Sequence, residues 1–186
     1  MPYPTSGDWS DAYVRDVRSG ALIRADQAPD GKVSDAQTEF PQVSADGRYM
    51  VFASLDSQLT PDDTNKGHNV FVRDLRTGGV RRIDAADPAG STAFPRIGAD
   101  SRHLVYVSDA DPDHTHQVYV RDLRTGRTVL ASPSVQGGPS GSSGVSFPVI
   151  DGHGRTVAFS SWANDLVPED AGQTDFTTHV YVRHLK

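Results

Sequence analysis

Phe40-Pro41-Gln42-Val43-Ser44-Ala45-Asp46-Gly47-Arg48 returns without gaps as Phe94-Pro95-Arg96-Ile97-Gly98-Ala99-Asp100-Ser101-Arg102. It returns again as Phe147-Pro148-Val149-Ile150-Asp151-Gly152-His153-Gly154-Arg155. The three starts lie 54 and 53 residues apart. Each copy leads into an apolar run: Tyr49 to Ala53, Leu104 to Val107, and Thr156 to Phe159. Self-similarity at such a period marks one supersecondary unit stacked repeatedly against its neighbours.

Working outward, a second motif occurs four times. It reads Ala12-Tyr13-Val14-Arg15-Asp16, Val70-Phe71-Val72-Arg73-Asp74, Val118-Tyr119-Val120-Arg121-Asp122 and Val180-Tyr181-Val182-Arg183-His184. Three copies run on through Arg18-Ser19-Gly20, Arg76-Thr77-Gly78 or Arg124-Thr125-Gly126 into a further short apolar segment. Runs of Val, Ile, Phe and Tyr split by Asp-Gly or Thr-Gly read as strands joined by tight hairpins. No window keeps a 3.6-residue apolar period with caps, so a helical repeat is excluded. One period therefore holds four antiparallel strands: the Phe-Pro strand, the apolar run, the Val-Tyr-Val-Arg-Asp strand, and the strand after Thr-Gly. That unit is a propeller blade.

These residues resemble the TolB-type, WD-like β-propeller repeat over nearly the whole chain, from Ser10 to Lys186. In that repeat a Pro-x-apolar-Ser-x-Asp-Gly-Arg/Lys strand pair precedes a Val-Tyr-Val-x-Asp-Leu-x-Thr-Gly pair. The third copy departs from it, with Asp151-Gly152-His153-Gly154 at its turn and His184 where the others carry Asp. The expected fold is all-β: four-stranded blades in one partial propeller domain over residues 1–186, with units near 10–28, 38–86, 92–133 and 145–186.

The strands begin mid-blade and stop mid-blade: a third and fourth strand, two whole blades, then a first, second and third strand. Propellers typically need about four to eight blades to close, and an open arc exposes edges that invite association. Two arrangements fit this count. Two copies could close a six-bladed ring, self-associating through terminal strands, or the chain is a piece of a longer propeller.

The totals agree with a globular protein. A chain of 186 residues, 36% hydrophobic and 23% charged, can bury a core, and it has no apolar run of membrane length. The net charge of −6 argues against nucleic acid or an anionic membrane as partner. With no cysteine, disulfides, thiolate catalysis and Cys-based zinc sites are excluded. Met1 to Asp8 has neither a basic segment nor an apolar core, so no signal peptide is read in this chain.

Candidate chemistry gathers in the loops between second and third strands. The first carries Asp56, Asp62, Asp63, Asn65, His68 and Asn69; the second runs Asp109-Ala110-Asp111-Pro112-Asp113-His114-Thr115-His116; the third holds Asp165, Glu169, Asp170, Asp175 and His179. Hard oxygen ligands on a loop suit calcium. The EF-hand reading of Asp109, Asp111 and Asp113 fails, because His114 stands where the sharp turn needs Gly and Val120 where the loop needs Glu. His114 and His116, with Asp113, suit a transition metal instead. Solvated polar loops carry the same residues, and that reading is preferred, so no cofactor is expected.

The Arg-Asp pair recurs once per blade, which fits a turn brace better than catalysis. No Gly-x-Ser-x-Gly elbow occurs, and Gly137 to Gly144 reads as a flexible connector. Trp9 and Trp162 are expected to bury against a neighbouring blade, with lining a binding surface as the alternative. The preferred function is a non-catalytic binding or assembly module that holds a protein, peptide or glycan on a propeller face or channel. The alternative is a small propeller lyase or hydrolase using a metal or His/Asp set. Both draw on Asp111, Asp113, His114, His116, Asp175 and His179, which an enzyme must bring to one pocket.

Overall fold

A computed structural model describes residues 10–34, 36–65, 67–85, 90–109, 115–141, 144–170 and 177–185. Its strands follow the repeat. A two-stranded pair, β1 (Tyr13–Arg15) and β2 (Leu22–Arg24), precedes two four-stranded meanders. The first meander is β3 (Thr38–Val43), β4 (Tyr49–Ser54), β5 (Asn69–Asp74) and β6 (Val80–Ile83). The second is β7 (Thr92–Ile97), β8 (His103–Ser108), β9 (Gln117–Asp122) and β10 (Thr128–Leu130). A three-stranded sheet closes the chain, β11 (Ser146–Ile150), β12 (Thr156–Ser161) and β13 (His179–His184). Every pairing is antiparallel, and the described residues make about three blade equivalents. No helix among them is long and apolar enough to cross a membrane.

Each blade carries two different faces, set by the period of two along its strands. On the face toward the preceding blade, cross-strand partners stack as aromatic pairs: Phe52 with Phe71 at 5.6 Å, Tyr106 with Tyr119 at 5.9 Å, and Phe159 with Tyr181 at 5.7 Å. The opposite face presents a ledge of small β-branched residues from the third strand, Val70 and Val72 or Val118 and Val120. The three cores form where ledge meets pair. Val70 and Val72 cluster with Tyr106 and partly buried Tyr119, and Val118 and Val120 with Phe159 and Tyr181. Ala12 and Val14 meet Phe52 and Phe71 in the same way.

The Phe-Pro dipeptide has a geometric role that its composition did not advertise. Phe40, Phe94 and Phe147 adopt φ of 53°, 52° and 50°. Register slips there in all three blades, between Glu39 and Gln42, Ala93 and Arg96, and Ser146 and Val149. These are β-bulges, where a proline costs no ladder bond. A bulky residue at positive φ is strained by about 1–3 kcal/mol, so its surroundings must hold it. The rings do so in series: Phe40 lies 4.8 Å from Phe94, and Phe94 lies 5.3 Å from Phe147. That ladder draws the first strands of successive blades together and bends each strand at the same place.

Candidate functional site

The two ends of the blades differ in chemistry. One end carries the turn between first and second strands and the turn between third and fourth. There the recurrent aspartate braces its hairpin. Asp16 Oδ1 accepts the Arg18 and Ser19 amides, both at 2.8 Å, ahead of Gly20 at φ 75°. Asp74 does the same for Arg76 and Thr77 at 2.9 and 3.2 Å, and Asp122 for Arg124 and Thr125 at 2.9 and 3.3 Å. The arginine after the first turn closes the bracket: Arg48 Nη2 lies 2.9 Å from Asp74, and Arg102 grips Asp122 through two nitrogens. Bidentate guanidinium–carboxylate pairs of this kind are the stronger sort.

These carboxylates are held below the usual range. For Asp122 the main cause is the Arg102 hydrogen bond, for Asp16 the amides of Ser19 and Arg18, and for Asp151 the amides of Thr156 and Arg155. A depressed folded pKa contributes stability that is fully present above the unfolded value of about 3.9 and is lost as pH falls through the folded pKa. Asp26 and Asp63 work the other way, because burial raises both. The depressed set is larger, so the melting temperature should fall on acidification below about pH 4, and Asp122→Asn should flatten that fall. A melting curve unchanged between neutral and strongly acidic buffer would refute the brace as a source of stability.

The other end carries the loops between second and third strands. Asp111, Asp113, His114 and Asp175 lie outside the described residues. His116 is exposed just before β9, and His179 is half-buried as the first residue of β13, in a different blade. Among the described residues no group of three or more His or acidic side chains is arranged to hold a metal ion.

What the described loops do contain is a buried polar node at the first residue of each third strand. Asn69 donates to Asp63 at 3.1 Å and to Asn65 at 2.8 Å, while Arg82 reaches Asp63 at 3.4 Å. Gln117, wholly buried, donates to the Ser140 carbonyl and to Thr115, each at 2.9 Å. Its Oε1 accepts from the Ser132 hydroxyl at 2.8 Å and the Ser140 hydroxyl at 3.2 Å. The third node is His179, whose buried Nε2 has no hydrogen-bond partner among the described residues. Several acidic candidates are thus structural: Asp63 serves Asn69, Asp56 accepts the Gln58 amide at 2.8 Å, and Asp109 accepts the Ser91 amide at 2.5 Å.

Two expectations need correction. The stretch from Gly137 is not a loose connector, because Ser140 is buried on Gln117 and the Gly141 amide donates to Asp165 at 2.8 Å. Trp162 is exposed rather than buried between blades, and Trp9 lies outside the described residues. Its indole lies where a Cβ on Gly144 would come within 2.0 Å, so only glycine lets it settle there.

The comparisons fit this architecture. No protein-family profile matches the chain, and no curated protein matches it. Among solved structures it is similar to TolB from Acinetobacter baumannii, with 18% identity, a TM-score of 0.51, and coverage of 80% of this chain and 31% of that one. A structure from a study of two prolyl endopeptidases has 17% identity and a TM-score of 0.53, covering 92% of this chain and 24% of the other. An oligogalacturonate lyase in complex with manganese has 12% identity and a TM-score of 0.51, covering 94% and 41%. At these identities the likeness establishes a propeller-type fold, and the chain spans less than half the length of each neighbour. Those neighbours include proteins named as enzymes alongside TolB, so the fold alone selects no activity.

Proposed function

We propose that this chain is a non-catalytic binding and assembly module whose first partner is a second copy of itself. The observation that carries this reading is the outer face of the last blade. Val180 and Val182 are 76% and 61% exposed, whereas their counterparts Val70, Val72, Val118 and Val120 are buried, none above 4%. Three times within the chain such a ledge is covered by the aromatic side of the next blade. The first strand pair supplies the third-strand half of that chemistry: Tyr13 occupies the position of Phe71 and Tyr119 and alternates along β1 with Ala12 and Val14, which enter the core.

A head-to-tail contact between the last blade of one copy and the first strand pair of another reuses the internal interface. If the rotation closes after two copies it makes a ring, as heterologous interfaces do when they close. The buried Nε2 of His179 stands at the same end, where Asn69 and Gln117 each tie in neighbouring chain. His116 and His179 belong to different blades, which favours a platform over a single catalytic pocket.

Light scattering should return twice the 20.1 kDa chain mass, and Val180→Asp combined with Val182→Asp should return the single-chain mass with the strand signal in circular dichroism retained. A single-chain mass for the unaltered protein across micromolar concentrations would overturn the reading.

A further inference from the structure

The turn between first and second strands is built alike in the first two blades and differently in the third. Asp46, Arg48 and Asp74 occupy three matched positions in the first blade, and Asp100, Arg102 and Asp122 in the second. The third blade has His153, Arg155 and His184 there. The arginine is kept while both carboxylates become imidazoles. The hairpin does not suffer, because Asp151, two residues back, takes over the brace and accepts the Arg155 and Thr156 amides at 2.7 and 3.0 Å. The exchange therefore alters charge without altering fold.

Its consequence is a bare guanidinium. Arg48 and Arg102 are each neutralised by their aspartate, but Arg155 makes no ion pair among the described residues. His184 turns its Nδ1 toward the Thr156 hydroxyl at 3.2 Å instead. Arg155 opens into a cleft of about 780 Å³ between the turns of the second and third blades. Arg102, His103 and His153 share this cleft, with Asp100 as its one acidic wall residue. Asp100 is already engaged, since its Oδ2 lies 2.5 Å from His103 Nδ1. Asp122 is held by Arg102, and Asp151 by its turn amides. The His103 ring lies so close to Gly154 that a Cβ there would come within 2.2 Å of it. Only glycine at this position lets the imidazole lie across the seam between blades.

We propose that this cleft binds an oxyanion group, phosphate or carboxylate, with Arg155 as the principal cation, His153 as a further donor and the His103 ring as a wall of the site. The guanidinium gives charge-assisted hydrogen bonds in a planar fork, and the His153 imidazole adds a ring N–H donor.

The test is calorimetric titration of the whole chain with inorganic phosphate and, separately, with citrate, at neutral pH. Saturable binding of at least one probe is expected; whichever probe binds more tightly identifies the group. Arg155→Ala should weaken binding about tenfold, the worth of one charge-assisted bond. Restoring the pattern of the other blades, His153→Asp with His184→Asp, should weaken it at least as much while leaving the melting temperature near that of the parent. Gly154→Ala should weaken it by displacing His103. Failure of both probes to bind, or binding that survives Arg155→Ala and the double substitution, would overturn the assignment.

Discussion

Phe52→Ala is expected to lower the unfolding free energy by about 3–5 kcal/mol, the range for emptying an aromatic core site. Phe52 is fully buried and stacks on Phe71, its cross-strand partner, in the core shared with Ala12 and Ala25. The truncation removes the ring from two contacts at once: the stack within the blade, and the interface with the strand pair before it. Neighbouring Met50 and Leu59 are themselves fully packed, so the cavity has little to collapse into it. Urea unfolding followed by circular dichroism measures the loss. A cost below about 1.5 kcal/mol, the level of a single deleted methyl group, would mean that the strand pair β1–β2 does not seal this face.

Gln117→Met comes next in size. The substitution keeps the volume and removes the Gln117 amide from the node that ties the second blade to the segment entering the third. Left behind in the interior are the Ser140 carbonyl and the Ser132 and Ser140 hydroxyls, which Gln117 now satisfies. Stranding buried polar groups is costlier than losing the hydrogen bonds themselves, so we expect about 2–4 kcal/mol of destabilisation, or about 4–16 °C in melting temperature for a chain of this length. An unshifted melting temperature would show that these groups repair themselves with water. Protease nicking after Gly137 should rise in the variant, because Ser140 would lose its anchor.

The blades were legible in the sequence because they rest on patterns with a short physical reach. Alternating Val and Tyr fixes two faces, Asp followed by Thr-Gly or Ser-Gly announces a braced turn, and copying the pair at a constant spacing announces a blade. Asp16, Asp74 and Asp122 occupy the turn positions that this reasoning assigned them. The bulge at Phe40, Phe94 and Phe147 was hidden, because a bulky residue before proline carries no marker of positive φ; three rings in series create the need for it.

The candidate site was less visible for a related reason. Acidic loop residues look alike in composition whether they face solvent or serve a buried amide, and Asp63 and Asp109 turn out to do the latter. His153 and His184 drew notice in the sequence only as departures from the repeat. Their significance appears once Arg155 is seen beside them without its aspartate. Gln117 was passed over because a lone glutamine before a strand has no motif; comparison with Asn69 and His179 in register is the signal that reveals it.

The join between blades has a direction, Val ledge on one side and aromatic pair on the other, and that direction governs how such a protein can grow. A unit that offers both halves of a joint fits between any two of its kin. Copying the segment that runs from one Phe-Pro to the next would lengthen the arc by one module without inventing a contact, whereas reversing a module would set ledge against ledge. Inheritance by tandem duplication is the route this chemistry leaves open, and it lets individual copies drift, as the third has drifted at its turn, while the stack stays intact.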